Sequence, residues 1–103
     1  MQKPSKIINL IEKVQECVRQ GRYLDTTHSI ERQRERIITR LEMVHVLLNG
    51  FYEKSKDKYE DRFKAWNYAI RGKTVDQREL RIIVSFDENN LLIITAIALE
   101  RDG

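Results

Sequence analysis

The chain has 103 residues, of which 41% are hydrophobic and 34% are charged, so it can bury one modest core and we treat residues 1–103 as a single domain. The 19 Lys and Arg residues against 16 Asp and Glu give a net charge of +3, which excludes a histone-like excess of positive charge. No apolar run is long enough to cross a bilayer, and a single cysteine excludes an internal disulfide, so we expect a cytoplasmic protein without a membrane partner.

The first predicted element is an amphipathic helix over residues 5–20, in which apolar residues recur at helical spacing. Pro4 and Ser5 stand at its start, and Gly21 stands where a left-handed C-terminal cap is expected. Cys17 falls on the apolar stripe of this helix. We therefore interpret Cys17 as a core residue and not as a nucleophile.

An extended piece over residues 23–27 and a charged helix over residues 28–36 are predicted next. A further helix begins at Thr39, with Glu42 at capping-box spacing, and ends at Asn49-Gly50. The residues expected on its inner face are Leu41, Val44, Leu47 and Leu48, with His45 elsewhere on the helix.

From Phe51 onward the apolar period changes toward two, which predicts strands. We expect a short strand at 51–54, a polar turn at 55–61, a half-buried strand at 66–71 and a turn at 72–77. Residues 80–86 and 91–99 predict an antiparallel hairpin whose last strand, apolar on both faces, is central in the sheet. The predicted fold is α+β, with N-terminal helices packed on one face of a curved antiparallel sheet.

The densest chemistry of the chain lies in the charged helix. His28, Arg32 and Arg36 are four residues apart and would share one helical face. A guanidinium group binds phosphate oxygens bidentately, and an imidazole with a pKa of about 6.5 exchanges protons near neutral pH. This pattern indicates an anionic partner such as RNA. The alternative is structural: His28 caps the helix, and Arg32 pairs with Glu35 or Asp25.

The runs 26–32, 36–39, 47–50 and 66–72, followed by a hydrophobic hairpin, resemble a small bacterial family of uncharacterised domains. Its pattern reads H-x-x-x-R, R-x-I-(S/T), G, Y-x-(I/V)-x-G and (I/V)-x-T. That family is similar to the RelE superfamily of toxin–antitoxin ribonucleases, including its BrnT and MqsR branches, over residues 22–99. The resemblance implies a RelE-like fold, messenger RNA cleavage as a type II toxin, and an antitoxin as protein partner.

Metal-independent RNA cleavage uses the ribose 2′-hydroxyl to attack the adjacent phosphate, with an acid, a base and cations around it. We assign His28 as acid or base, Arg32 as a phosphate clamp and Tyr68 as the opposite wall or a platform for a base. Arg36, Arg71 and Arg81 are the candidate RNA-binding residues. We expect single-stranded RNA as the substrate.

No cofactor or metal is expected, because no His or Cys set has the spacing of metal ligands. Acidic neighbours nearly neutralise the lysines at positions 54, 56 and 58, so we interpret that stretch as a polar hairpin. The alternative function is a non-catalytic module that keeps the fold and binds protein or nucleic acid. A single well-placed histidine supports this alternative, because it leaves the acid and base roles underfilled.

Overall fold

Two helices and six strands are described in full. A computed structural model of the chain describes residues 3–26, 30–31 and 37–99. The elements in chain order are α1 (Leu10–Arg19), β1 (Tyr23–Asp25), α2 (Arg40–Asn49), β2 (Phe51–Tyr52), a 3₁₀ turn (Lys54–Lys56), β3 (Lys58–Glu60), β4 (Ala65–Lys73), β5 (Glu79–Asp87) and β6 (Asn90–Ala98). The predicted α+β fold class is confirmed.

The strands form one open sheet in the order β1, β6, β5, β4, β2, and β3 also pairs with β4. All pairs are antiparallel except β1 with β6, which is parallel. β6 lies between β1 and β5, so the prediction of a central last strand is confirmed. The parallel pairing of β1 was not predicted, because nothing in a three-residue segment indicates which strand it joins.

Helix α1 begins at Leu10, later than predicted. Before it, the chain crosses strand β4 in a non-helical conformation: the Trp66 Nε1 donates to the Pro4 carbonyl at 2.8 Å, and the Ile7 amide donates to the Tyr68 hydroxyl at 3.0 Å. These tertiary hydrogen bonds use backbone groups near the expected helix start. They compete with the local helical preference of the segment and delay the helix.

Helix α2 has the predicted ends but a different buried face. The Thr39 hydroxyl accepts from the Glu42 amide at 3.1 Å, and the Glu42 carboxylate accepts from the Thr39 amide at 2.9 Å, so the capping box is confirmed. The buried residues of α2 are Met43, Val46 and Leu47, whereas Leu41 is 82% exposed. The placement of Leu41 on the inner face was therefore wrong, because a stripe through positions 43, 46 and 47 turns position 41 outward.

One hydrophobic core lies between the two helices and the sheet. Its buried residues are Leu10, Val14, Cys17, Val18, Ile38, Met43, Val46, Leu47, Tyr68, Ile70, Leu80, Ile82, Val84, Leu91, Ile93 and Ala96. Cys17 is 1% exposed, so its interpretation as a core residue is confirmed. The face of the sheet opposite α1 and α2 is called the outer face here, and the residues it carries include Asn67, Arg71, Arg81, Ser85 and Leu92.

Two glycines bring the end of α2 against strand β4. A Cβ atom on Gly50 would lie 2.6 Å from the backbone oxygens of both Val46 and Arg71, and one on Gly72 would lie 3.0 Å from the Gly50 Cα. No real side chain tolerates contacts as short as those at Gly50. This close approach places β2, and with it Glu53, directly beside the middle of β4.

Candidate functional site

Three of the predicted site residues, His28, Arg32 and Arg36, lie outside the described residues, and their roles stay a prediction. The structure does describe one proposed partner of Arg32. Asp25 forms an ion pair with Arg40, and the Asp25 side chain is only 4% exposed. Asp25 therefore already has a cationic partner from α2.

Arg71 and Arg81 are the predicted RNA-binding residues that the structure brings together. They are direct cross-strand partners on β4 and β5, so their side chains leave the outer face side by side. Side-chain exposure is 32% for Arg71 and 18% for Arg81. Two permanent cations in adjacent positions of a rigid sheet can contact one phosphate group or two successive ones.

Glu53, which follows β2, holds both guanidinium groups. Its Oε1 accepts from the Arg81 Nε at 2.6 Å, and its Oε2 accepts from a terminal nitrogen of Arg81 at 3.2 Å and from one of Arg71 at 3.0 Å. The bond from Arg81, together with that from Arg71, lowers the pKa of Glu53 against the opposing effect of its burial. The carboxylate is therefore ionised at neutral pH.

Glu79 completes the cluster from the first position of β5. It forms an ion pair with the second terminal nitrogen of Arg71, and this bond, with the one to Glu53, raises the pKa of Arg71. The four side chains carry two positive and two negative charges. The cluster is thus nearly neutral, and it fixes the geometry of the arginines more than it raises the local potential.

Tyr68 lies on the opposite side of β4 from this cluster. It is 3% exposed, its hydroxyl accepts from the Ile7 amide at 3.0 Å, and its ring meets Tyr52 and Phe86 edge to face. Because residues three apart in a strand point to opposite faces, Tyr68 and Arg71 cannot form one wall. The structure places Tyr68 in the core next to the N-terminal segment.

A second polar cluster anchors the 3₁₀ turn to β4. The Asp57 side chain is 1% exposed, accepts from the Tyr52 hydroxyl and from the Ala69 amide at 3.3 Å, and pairs with Lys6 at 3.1 Å. Burial, and then the bond to Asp57, raises the pKa of Tyr52 above its usual 10.0. Every member has a partner, so this cluster fixes the loop that leads from Glu53 to β3.

Within the described ranges, no group of three or more His, Cys, Asp and Glu side chains could hold a metal ion. The same part of the chain contains no helix of the length and apolarity that a membrane crossing requires.

The sequence was also compared with known proteins. Residues 26–98 match the family model described as Domain of unknown function (DUF4258). The chain belongs to this family. No curated protein and no solved structure matches the sequence of this chain. The DUF4258 region includes both close-packed glycines and the whole Arg71–Arg81 cluster, whereas α1 and the segment that contacts Tyr68 lie before it.

Glu53 is the residue of the DUF4258 region that sequence reasoning missed. Its charge was assigned to neutralising nearby lysines, but its carboxylate bonds to arginines from two other strands. Those partners are 18 and 28 positions away in sequence. The available signal was Gly50, since a glycine that ends a helix just before a strand indicates a close backbone approach.

Proposed function

We propose that this protein binds single-stranded RNA on the outer face of its sheet and cleaves it as a metal-independent, toxin-like endoribonuclease. The observation that carries the proposal is the cross-strand pair Arg71 and Arg81, held in fixed positions by Glu53. Guanidinium groups that are already oriented lose less freedom when they bind phosphate. A sheet face is also a common platform for single-stranded RNA.

The proposed chemistry is attack of the ribose 2′-hydroxyl on the adjacent phosphate, which expels the 5′-oxygen and leaves a cyclic phosphate. Arg71 and Arg81 would balance the charge that grows on the phosphate oxygens. The sequence provides His28 to transfer a proton and Arg32 and Arg36 as further cations. Tyr68 would contact RNA only if the segment that carries Ile7 moved away, so we propose a supporting role for its hydroxyl.

The RelE-like relationship is part of this proposal. It is supported by the sequence resemblance and by the α+β architecture, in which helices cover one face of the sheet and the arginine pair lies on the other. A toxin of this kind is inhibited by a small antitoxin. We propose that such an antitoxin covers the outer face and competes with RNA for the arginine pair.

A second candidate function is RNA or protein binding without cleavage. The observation that favours it is the near neutrality of the cluster, because Glu53 and Glu79 oppose the two arginines. Within the described residues, the outer-face cluster contains arginines and glutamates but no histidine. The two candidates therefore differ in one measurable property, the release of product.

The test is incubation of the purified protein with a mixed-sequence single-stranded RNA in EDTA, followed by separation of the products. We expect cleavage that is lost in His28→Ala and strongly reduced in the double variant Arg71→Ala/Arg81→Ala. RNA binding by the double variant should also depend less on salt: the slope of the logarithm of the binding constant against the logarithm of the salt concentration should become shallower by up to about 1.4. Retention of RNA without product supports the binding module, and unchanged binding by the double variant refutes the outer-face site.

A further inference from the structure

A groove lies on the outer face at the other end of the sheet from the arginine pair. Its volume is about 410 Å³, which is within the range of pockets that hold small organic ligands. The residues that line it include Phe63, Asn67, Ser85, Asp87, Leu92 and Ile94. Leu92 and Ile94 give it an apolar floor, and the rim carries polar and aromatic groups.

The turn between β3 and β4 places the Phe63 ring at this rim, and the residues before and after Phe63 in the chain are cationic. Phe63 is 71% exposed, so its ring is accessible to a ligand in the groove. The Arg62 guanidinium lies over the Phe63 ring at 5.4 Å, and Lys64 follows directly and is also exposed. An exposed aromatic ring with cationic residues on both sides of it in the chain offers stacking to a base and positive charge to the neighbouring phosphates.

Two side chains of the groove can bond to the edge of a base. The side-chain amide of Asn67 makes no hydrogen bond to any other described residue, and it offers both a donor and an acceptor. Asp87 is exposed and offers only acceptors when ionised. The Ser85 hydroxyl is already used, since it donates to the Trp66 carbonyl at 2.9 Å.

The strand register relates the groove to the arginine pair. Arg81 and Ser85 lie on the outer face of β5, and the four residue steps from one to the other span about 13 Å. Ser85 is paired with Leu92 of β6, as Arg81 is paired with Arg71 of β4. A single RNA strand that crosses the sheet can therefore place a phosphate on the arginines and a nearby base in the groove.

We infer that the groove binds one unpaired base of the RNA, stacked on Phe63 and bonded through Asn67 and Asp87, and that it prefers adenine or cytosine to uracil. This inference rests on the proposed function. Asn67 alone does not discriminate, because its amide can pair with the edge of any of these bases. Asp87 provides the preference by facing the exocyclic group of the base, where its carboxylate accepts from the amino group of adenine or cytosine but is repelled by the O4 of uracil, while the ring nitrogen of each base is left to Asn67.

The experiment measures binding affinity by fluorescence anisotropy of labelled 12-nucleotide probes of A, C or U. The probes carry 2′-O-methyl sugars so that the protein cannot cleave them. The wild type should bind the A and C probes about two- to tenfold more tightly than the U probe. Phe63→Ala should weaken binding of the A and C probes at least about fivefold, while Phe63→Tyr, which keeps the ring, retains it. Asp87→Asn should remove the preference over U.

Leu41→Ala is the matched control, because it truncates an apolar side chain of similar exposure that lies on α2, away from the outer face. It should leave all three affinities unchanged. If Phe63→Ala and Asn67→Ala bind all probes like the wild type while Arg71→Ala/Arg81→Ala does not, the groove is not a base site although the RNA-binding proposal stands. Absence of binding by the wild type overturns both.

Discussion

Replacing Glu53 with glutamine keeps the size of the side chain but removes the charge that holds Arg71 and Arg81. The carboxylate accepts three hydrogen bonds from the two guanidinium groups, at 2.6, 3.0 and 3.2 Å. Each hydrogen bond to a charged group is worth about 1.5–3 kcal/mol, but the three share one acceptor group and are not additive. Water also solvates the arginines in part, since 32% and 18% of their side chains are exposed.

We therefore expect Glu53→Gln to lower the free energy of unfolding by about 2 kcal/mol at pH 7, and Tm by roughly 8–16 °C. The effect depends on pH because the arginines lower the pKa of Glu53 below its usual 4.5. A lowered pKa in the folded state stabilises the fold above about pH 4.5, and this contribution is lost as the pH falls through the folded-state pKa. Urea unfolding of both proteins at pH 7, 5, 4 and 3 measures the gap. A gap that stays constant over this range would refute the reasoning.

The same substitution should strengthen RNA binding while it weakens the fold. Removing one negative charge about 6 Å from a bound phosphate gains about 0.7 kcal/mol in water, or about threefold in affinity. Glu12→Gln, which changes an exposed glutamate on α1, is the control and should alter stability by no more than about 0.5 kcal/mol. A Glu53→Gln protein that loses stability as expected but binds RNA no more tightly would show that the loss of fixed arginine geometry offsets the gain from removing the negative charge.

Three further predictions concern the scaffold. Gly50→Ala should destabilise the protein by about 1–3 kcal/mol in urea unfolding, because the new Cβ would meet two backbone oxygens at 2.6 Å. It should destabilise more than Gly72→Ala does, and equal effects of the two variants would contradict the close approach at Gly50. Thr39→Ala should cost about 0.5–2 kcal/mol through the lost cap, and a Thr39→Ser protein should recover most of it. Burial and Asp57 raise the pKa of Tyr52 above 10.0, so its hydroxyl stabilises the fold below that pH. This contribution is lost as the pH rises through the higher folded-state pKa. A Tyr52→Phe protein whose stability changes with pH in the same way as the wild type between pH 8 and 12 would contradict this prediction.

The features that sequence predicted are those with local causes. The capping box at Thr39 needs only residues three apart, and the final hairpin follows from two apolar strands around a short polar turn. Each is encoded within one continuous segment, of four residues for the capping box and of about twenty for the hairpin. The same is true of the interpretation of Cys17, because the stripe of an amphipathic helix identifies its buried side.

The features that sequence did not predict depend on contacts between distant segments. The late start of α1 results from hydrogen bonds of Pro4 and Ile7 to strand β4, and the exposure of Leu41 follows from the rotation at which α2 meets the sheet. Neither is visible in the periodicity of one segment. The register between β4 and β5 could not be predicted either. The turn was predicted at residues 72–77, but β4 continues to Lys73 and β5 begins at Glu79. Since the turn fixes register, the pairing of the two arginines could not be deduced.

The role of Glu53 follows from this register. Two like charges directly opposite one another on a sheet repel, so a hairpin with paired arginines needs a counter-ion on the same face. Gly50 allows β2 to approach β4 closely enough for Glu53 to provide it. The carboxylate lowers the attraction for a polyanion, but it also fixes both guanidinium groups before the ligand arrives, which reduces the entropy lost on binding. A cluster of this kind gives weaker long-range attraction and more specific contact than free arginines would, which suits the proposed recognition of one phosphate position.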